Sequence, residues 1–189
     1  MDPVKKWPSL VGLYSSQAGS GKSEVAKMLW HRGFEPVKFA GPLKAMTRGL
    51  LASMSISYRL IERMVEGDLK ETVIPGFETI TPRHLMQTLG TDWGREAVDT
   101  KLWEKVAMAT AQQMIDAGAR VVIDDMRFPN EFEAIRAAGG VTVRVDRPNP
   151  SRAGYSRYEG LLDDFEFDMT IVNDGTLEDL AKRVLDRFP

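Results

Sequence analysis

Short apolar runs and one-sided apolar patterns alternate along this chain, and their order predicts its secondary structure. Runs of mainly apolar residues predict β-strands at 10–14, 37–39, 120–123, 141–145 and 171–172. Apolar positions at helical spacing predict helices at 24–32, 43–54, 58–65, 81–90 and 99–117, and a last helix from Thr176. Because strands alternate with helices, we expect an α/β fold in which helices cover both faces of a parallel sheet.

Several predicted helices carry their own boundary signals. Thr81 is suited to cap a helix whose first turn contains Pro82, and Gly90 is typical of the residue that ends one. Near the end of the chain, Thr176 followed three residues later by Asp179 predicts a second capped helix start.

A glycine-rich loop lies between the first predicted strand and the first predicted helix, with the sequence Ser16-Gln17-Ala18-Gly19-Ser20-Gly21-Lys22-Ser23. Successive backbone N–H groups at the start of a helix form a nest for phosphate oxygens. Lys22 would reach the β- and γ-phosphates, and the Ser23 hydroxyl would ligate Mg²⁺. Ser16 stands where the full motif has its first glycine. A turn without a ligand is the alternative, but the flanking strand and helix favour binding of a nucleoside triphosphate.

Acidic residues follow the strand predicted at 120–123. Asp124 and Asp125 would stand at the carboxyl edge of the sheet, where one of them could orient Mg²⁺ through water or accept a proton. Arg127, two residues further on, could bridge donor and acceptor phosphates. The alternative is an Asp125–Arg127 ion pair in a loop, with Glu131 in the first turn after Pro129. The sequence does not separate the roles of Asp124 and Asp125.

A second group of candidates surrounds the helix predicted from Thr81. Arg83 and Gln87 are four residues apart and share a helix face, so that a guanidinium could bind phosphate while an amide reads a base edge. Trp93 and Trp103 are candidates for stacking on a base. The alternative places the tryptophans in a core and leaves Arg83 solvated.

Two further segments could contact the nucleotide. The arginine-rich loop 147–158, rich also in proline and glycine, is a candidate lid, although surface arginines in a loop are common. Residues 173–176 could touch the adenine of ATP or could form only a turn and a helix cap. The predicted ATP-binding residues are Gly19, Ser20, Gly21, Lys22, Ser23, Glu24 and Arg152.

Composition narrows the classes of protein that fit. A length of 189 residues suits a single domain, and a net charge of −2 gives no reason to expect binding to nucleic acid. The sequence has no cysteine and two histidines, so any metal is expected to be a hard cation bound by oxygen. No signal peptide and no apolar run of membrane-spanning length is found, which predicts a cytoplasmic protein. The number of assembled chains stays open, with a homodimer as one option.

Four motifs occur in one order, namely Gly19-Ser20-Gly21-Lys22, the segment 39–44 (Phe-Ala-Gly-Pro-Leu-Lys), the segment from Thr81-Pro82-Arg83 to Arg95, and 125–131 (Asp-Met-Arg-Phe-Pro-Asn-Glu). Together they resemble the deoxynucleoside monophosphate kinases of tailed bacteriophages. The resemblance extends over nearly the whole chain. Its Thr-Pro-Arg and Arg-Phe-Pro-Asn-Glu segments are much more specific than the glycine-rich loop.

The resemblance implies a three-layer α/β/α P-loop kinase that moves the γ-phosphoryl group of ATP to a deoxynucleoside monophosphate with Mg²⁺. It implies a single domain, 1–189, with a helical monophosphate-binding region at 43–118. If the protein is encoded by a phage, its compartment is the host cytoplasm. The implied catalytic residues are Lys22, Asp125, Arg127 and Glu131. The implied metal ligands are Ser23 and Asp125. The implied acceptor-binding residues are Arg83, Gln87, Gly90, Trp93, Trp103, Arg127 and Glu131.

Two other functions compete with this hypothesis. A different small-molecule P-loop kinase, such as one acting on dephospho-coenzyme A, would share the loop but would not need the Arg83/Gln87 pair. A switch protein that binds ATP without transferring phosphate would share the loop as well.

Overall fold

The computed structural model describes residues 7–148 and 160–188. Its strands are β1 (Leu10–Tyr14), β2 (Phe34–Val37), β3 (Arg120–Ile123), β4 (Val141–Asp146) and β5 (Met169–Val172). Its helices are α1 (Lys22–Trp30), α2 (Gly41–Ser53), α3 (Tyr58–Val65), α4 (Pro82–Thr88), a π-helix (Leu89–Val98), α5 (Leu102–Asp116), α6 (Pro129–Ala137) and α7 (Leu177–Arg187). No helix in these ranges is both long and apolar enough to cross a membrane.

Within the described ranges, five strands form one parallel sheet in the order β2-β3-β1-β4-β5. Helices α1 and α7 pack against each other and cover the face onto which Val11 and Leu13 point. Gly12 points to the other face, where a Cβ would lie 2.3 Å from Cδ1 of Ile135 in α6. These contacts confirm the predicted α/β/α fold with a central parallel sheet. Because the strands are parallel, the loops after β1, β3 and β4 leave the sheet at the same edge.

The core beside α1 explains why β1 forms where the sequence predicts it. Val11 and Leu13 are fully buried and pack in one cluster with Val25 and Leu29 of α1 and Leu180 of α7. Burying such a side chain contributes about 1.5–3 kcal/mol, so this cluster fixes the strand on which the glycine-rich loop begins.

The chain divides into two compact units, a sheet unit (Met1–Phe39 and Met108–Pro189) and a helical unit (Ala40–Ala107). The helical unit has its own core of Leu51, Ile61, Met64, Val65 and Ile74. Arg48 of α2 joins Glu62 of α3 through a hydrogen bond of 2.7 Å from Nε to Oε1. The bounds of this unit differ from the predicted helical region 43–118, and the prediction of a single domain over 1–189 stays a prediction.

Three predicted elements are corrected by the structure. The helix expected to end at Gly90 continues as the π-helix Leu89–Val98, because Gly90 is buried inside the helical unit and does not adopt the left-handed conformation of a terminating glycine. The second strand occupies Phe34–Val37 instead of 37–39. A full helix, α6, follows Pro129 where only a first turn was considered, because Phe132 and Ile135 become buried.

Both predicted caps are confirmed. The hydroxyl of Thr81 accepts the N–H of His84 at 3.1 Å, and Pro82 is the first residue of α4. Thr176 and Asp179 form a reciprocal capping box, with Asp179 N–H donating to Thr176 at 3.2 Å and Thr176 N–H donating to Asp179 at 2.9 Å. Such caps each contribute about 1 kcal/mol, which is enough to set where these short helices begin.

Candidate active site

The glycine-rich loop connects β1 to α1 at the centre of the sheet. Gly19 and Gly21 have φ values of 78° and 96°, a left-handed conformation that glycine adopts without strain. A cavity of about 470 Å³ opens beside the loop, lined by residues 17–24 together with Tyr14, Arg127 and Arg147. All the predicted ATP-binding residues of the loop therefore lie in the wall of one cavity.

Lys22 is half-buried at the first position of α1. Burial lowers the pKa of its ammonium group, and the nearby Arg127 guanidinium lowers that pKa further, while Asp125 and Asp124 act in the opposite direction. The net shift is downward, because burial and Arg127 together outweigh the attraction of the two carboxylates. An anion placed in the cavity would stabilise the charged form of Lys22, and a phosphate chain is such an anion.

The two carboxylates after β3 have different partners. Asp124 forms a salt bridge with Lys38, with Nζ to Oδ1 at 2.7 Å. Oδ1 of Asp125 accepts the backbone N–H of Phe39 at 2.8 Å. β3 lies between β1 and β2, so these carboxylates stand between the glycine-rich loop and the end of β2. The sequence did not separate the roles of these two residues, but the structure distinguishes their partners, which are Lys38 for Asp124 and the Phe39 backbone for Asp125.

The donor set of the sheet unit suits Mg²⁺. Ser23 and Asp125 offer a hydroxyl and a carboxylate, which are the hard oxygen ligands that this ion prefers. Among the described residues, no three His, Cys, Asp or Glu side chains converge into a metal site of their own.

Glu131 has a structural task that the sequence left as an alternative. Its side chain is buried, with 2% of its surface exposed, and its Oε2 accepts the backbone N–H groups of Arg127 at 2.8 Å and Phe128 at 3.1 Å. These bonds cap α6 and hold the peptide of Arg127, whose side chain is exposed and lines the cavity. Glu131 thus contacts the backbone of Arg127, and the Arg127 side chain is the one that reaches the cavity.

We expect Glu131→Ala to lower the free energy of unfolding by about 1–3 kcal/mol, because two backbone donors lose a charged acceptor. Glu131→Gln keeps an acceptor oxygen at the same place and should retain most of that stability. Urea unfolding followed by circular dichroism measures both changes. We expect Glu131→Gln to retain most of its turnover as well, and a large loss of turnover in this stable variant would indicate a direct catalytic role for the carboxylate.

In the helical unit, Arg83 and Gln87 lie four residues apart on α4, as predicted, and both side chains are exposed. Arg83 forms an ion pair with Glu71 through its side-chain Nε. The backbone N–H of Arg83 donates to the carbonyl of Lys70 at 2.9 Å. The ion pair is exposed, so it contributes little free energy and leaves the guanidinium able to exchange Glu71 for another anion.

The two predicted tryptophans differ in exposure. Trp103 is 3% exposed, and its indole Nε1–H donates to the carbonyl of Gly90 at 2.8 Å. A Cβ on Gly94 would lie 2.4 Å from Cζ2 of Trp103, so the indole packs directly against the π-helix backbone. Trp93 is 42% exposed, with its ring centroid 6.2 Å from that of Trp103. The geometry therefore favours the core alternative for Trp103 and leaves Trp93 as the accessible ring.

Some predicted residues lie outside the described ranges, and some cavity residues were not predicted. Arg152 and most of the candidate lid 147–158 belong to the first group. Tyr14, Gln17 and Arg147 line the cavity although they were not among the predicted ATP-binding residues. Gln17 belongs to the glycine-rich loop and Arg147 begins the candidate lid, whereas the only sequence signal of Tyr14 is its position at the end of β1.

A parallel five-stranded sheet whose central strand leads through a Gly-x-Gly-Lys-Ser loop into a helix defines the class of P-loop proteins with the α/β/α fold. Within that class, a family model described as deoxynucleotide monophosphate kinase matches residues 44–184. The chain belongs to the deoxynucleotide monophosphate kinase family, and the enzyme is a phosphotransferase.

Individual relatives agree with that family. A protein of Acanthamoeba polyphaga mimivirus, provisionally named a deoxynucleotide monophosphate kinase, is 30% identical over 93% of this chain and 94% of its own length. The deoxynucleotide monophosphate kinase of Escherichia phage RB69 is 29% identical over 71% of this chain and 56% of its own length. That of Enterobacteria phage T4 is 31% identical over 54% of this chain and 43% of its own length.

Proposed function

We propose that this enzyme transfers the γ-phosphoryl group of ATP to a deoxynucleoside monophosphate, which yields ADP and a deoxynucleoside diphosphate for phage DNA synthesis. The observation that supports this most directly is the cavity that Lys22 and Arg127 share with the glycine-rich loop. Family membership supplies the class of reaction.

On the ATP side, residues 19–24 would surround the phosphates, with the N–H groups of the loop as donors and Lys22 on the β- and γ-phosphates. Ser23 and Asp125 would hold Mg²⁺, which when bound would neutralise part of the phosphate charge. Arg152 and the lid 147–158 are proposed to close over the nucleotide and to exclude water.

On the acceptor side, the helical unit would supply the monophosphate site. Arg83 would exchange Glu71 for the α-phosphate, and Gln87 would read a base edge. Trp93 offers an exposed ring for stacking, whereas Trp103 would act through packing beneath Gly90. Each of these roles is a proposal that rests on exposure and on the family.

Phosphoryl transfer requires mainly positioning and compensation of charge, so we propose direct in-line transfer without a covalent enzyme intermediate. Arg127 would stabilise the transferring group, and Glu131 would hold the Arg127 peptide in place.

ATP and the monophosphate are the proposed partners, without nucleic acid or membrane, in the cytoplasm in which nucleotides are made. A homodimer is compatible with the proposal.

The decisive experiment measures ADP release from ATP and Mg²⁺ in the presence of each of the four deoxynucleoside monophosphates. The matching ribonucleotides and dephospho-coenzyme A serve as comparators. We expect ADP release that depends on at least one deoxynucleotide and exceeds the rate with the comparators. If only dephospho-coenzyme A stimulates ADP release, the proposed acceptor is wrong and the enzyme is a kinase of that compound. If ATP binds but no acceptor stimulates ADP release, a switch protein is favoured.

A further inference from the structure

Two backbone carbonyls of the glycine-rich loop accept hydrogen bonds from side chains that directly follow β4 and β5. Nδ2 of Asn173 donates to the carbonyl of Ser20 at 2.9 Å, across 153 residues of sequence. Nη1 of Arg147 donates to the carbonyl of Gly19 at 3.3 Å. The two bonds hold consecutive peptide groups of the loop from the same side of the sheet.

Sheet topology brings these donors to the loop. Arg147 directly follows β4, which neighbours β1, and Asn173 directly follows β5, the next strand outward. The N–H of Asn173 donates to the carbonyl of Asp146 at 2.6 Å, which extends the pairing of β4 and β5 by one residue. Asn173 is 8% exposed, so its amide is held in a packed position.

Binding of a carbonyl determines where the neighbouring N–H points. In a trans peptide the carbonyl and the N–H of the same plane point in opposite directions. Holding the Ser20 carbonyl toward Asn173 therefore turns the N–H of Gly21 away from β5. Holding the Gly19 carbonyl toward Arg147 orients the N–H of Ser20 in the same way. Successive N–H groups that point to one side form an anion nest.

We propose that Asn173 is a positioning residue of this kinase, whose amide presets the N–H groups of the loop for the phosphates of ATP. The inference rests on the proposed function in so far as ATP is the ligand. Close packing supports it, because a Cβ on Gly21 would lie 2.4 Å from Nδ2 of Asn173. With so little space between amide and loop, the loop cannot shift toward Asn173, and loss of the donor releases it.

The test compares Asn173→Ala and Asn173→Asp with the unchanged enzyme. Alanine removes the donor, while aspartate places a carboxylate oxygen against the Ser20 carbonyl and adds a negative charge beside the phosphates. We expect the Kd for ATP, measured by isothermal titration calorimetry, to rise about tenfold with alanine and further with aspartate. The KM for ATP should rise in parallel, whereas the KM for the deoxynucleoside monophosphate should change less than about twofold.

Thr142→Val is the matched control, since Thr142 of β4 is also buried and its hydroxyl donates to Asp168 at 2.7 Å, at the start of the strand. This variant should lose stability yet keep the Kd for ATP. Should Asn173→Asp fail to fold, Asn173→Ala carries the test alone. An unchanged Kd in a folded Asn173→Ala variant, or equal weakening by Thr142→Val, would overturn the proposal.

The calorimetric readout needs no acceptor. If the unchanged enzyme binds ATP but phosphorylates no deoxynucleotide, the proposed function fails while the role of Asn173 is still decided by the Kd values. If turnover occurs and Asn173→Ala binds ATP normally, the proposed function stands and only the positioning role is lost.

Discussion

Replacing Lys22 by methionine is expected to lower kcat/KM by about 10³-fold or more, because the transferring phosphoryl group loses a preorganised positive charge. Methionine retains the length of the side chain and leaves the start of α1 intact. The measurement is ADP release with the best deoxynucleoside monophosphate. Lys182→Met, on the exposed surface of α7, is the control and should keep activity within about twofold. Near-normal turnover by Lys22→Met would contradict the assignment of the loop.

The same variant should not be less stable than the unchanged enzyme. Because the pKa of Lys22 is lower in the folded state than its ordinary value of 10.5, the unfolded chain binds this proton more strongly. The folded state therefore bears a cost for the charged form at neutral pH. That cost fades as pH rises from the lowered pKa through 10.5, so the stability advantage of Lys22→Met should shrink over this window. Urea unfolding at pH 7 and at higher pH measures the difference.

Asp125→Asn is expected to lower kcat by about 10²–10³-fold and to raise the Mg²⁺ concentration that gives half-maximal rate. The reason is that the carboxylate proposed to hold the ion loses its charge, while the amide oxygen can still accept the N–H of Phe39. Rates measured over a Mg²⁺ titration give both quantities, and circular dichroism verifies the fold.

Asp124→Asn is the matched control for Asp125→Asn. Asp124 is paired with Lys38, and their side chains are 15% and 42% exposed, so its neutralisation should cost about 1–3 kcal/mol of stability but leave turnover within about fivefold. If Asp124→Asn instead loses more activity than Asp125→Asn, the two carboxylates exchange their proposed roles.

Parts of the fold were predictable because they depend on local chemistry. The β1 strand, the loop after it and the capped starts of α4 and α7 were located from apolar runs, glycine and capping residues, and the structure confirms them. The predicted end of the helix that begins after Thr81 was wrong, because Gly90 packs with the buried indole of Trp103, which lies 13 residues away in sequence.

The candidate site shows the same division. The motif around Lys22 predicted a phosphate site without any tertiary information. The partners of Asp124 and Asp125 could not be predicted, because Lys38 and Phe39 reach them only through the parallel pairing of β2 with β3. The contacts of Glu131 are local by comparison, since they join it to the backbone N–H groups of residues three and four positions earlier. Buried and exposed tryptophans were likewise indistinguishable by spacing alone.

The sequence by itself determined the alternation of strands and helices, the glycine-rich loop and the family resemblance, since each depends on short stretches of contiguous residues. Only the tertiary structure decided which distant side chains support that loop. Asn173 reaches the Ser20 carbonyl because β4 and β5 lie in order beside β1, and strand order depends on the packing of the whole sheet. Long-range contacts of this kind leave no local pattern, so the folded chain alone reveals them.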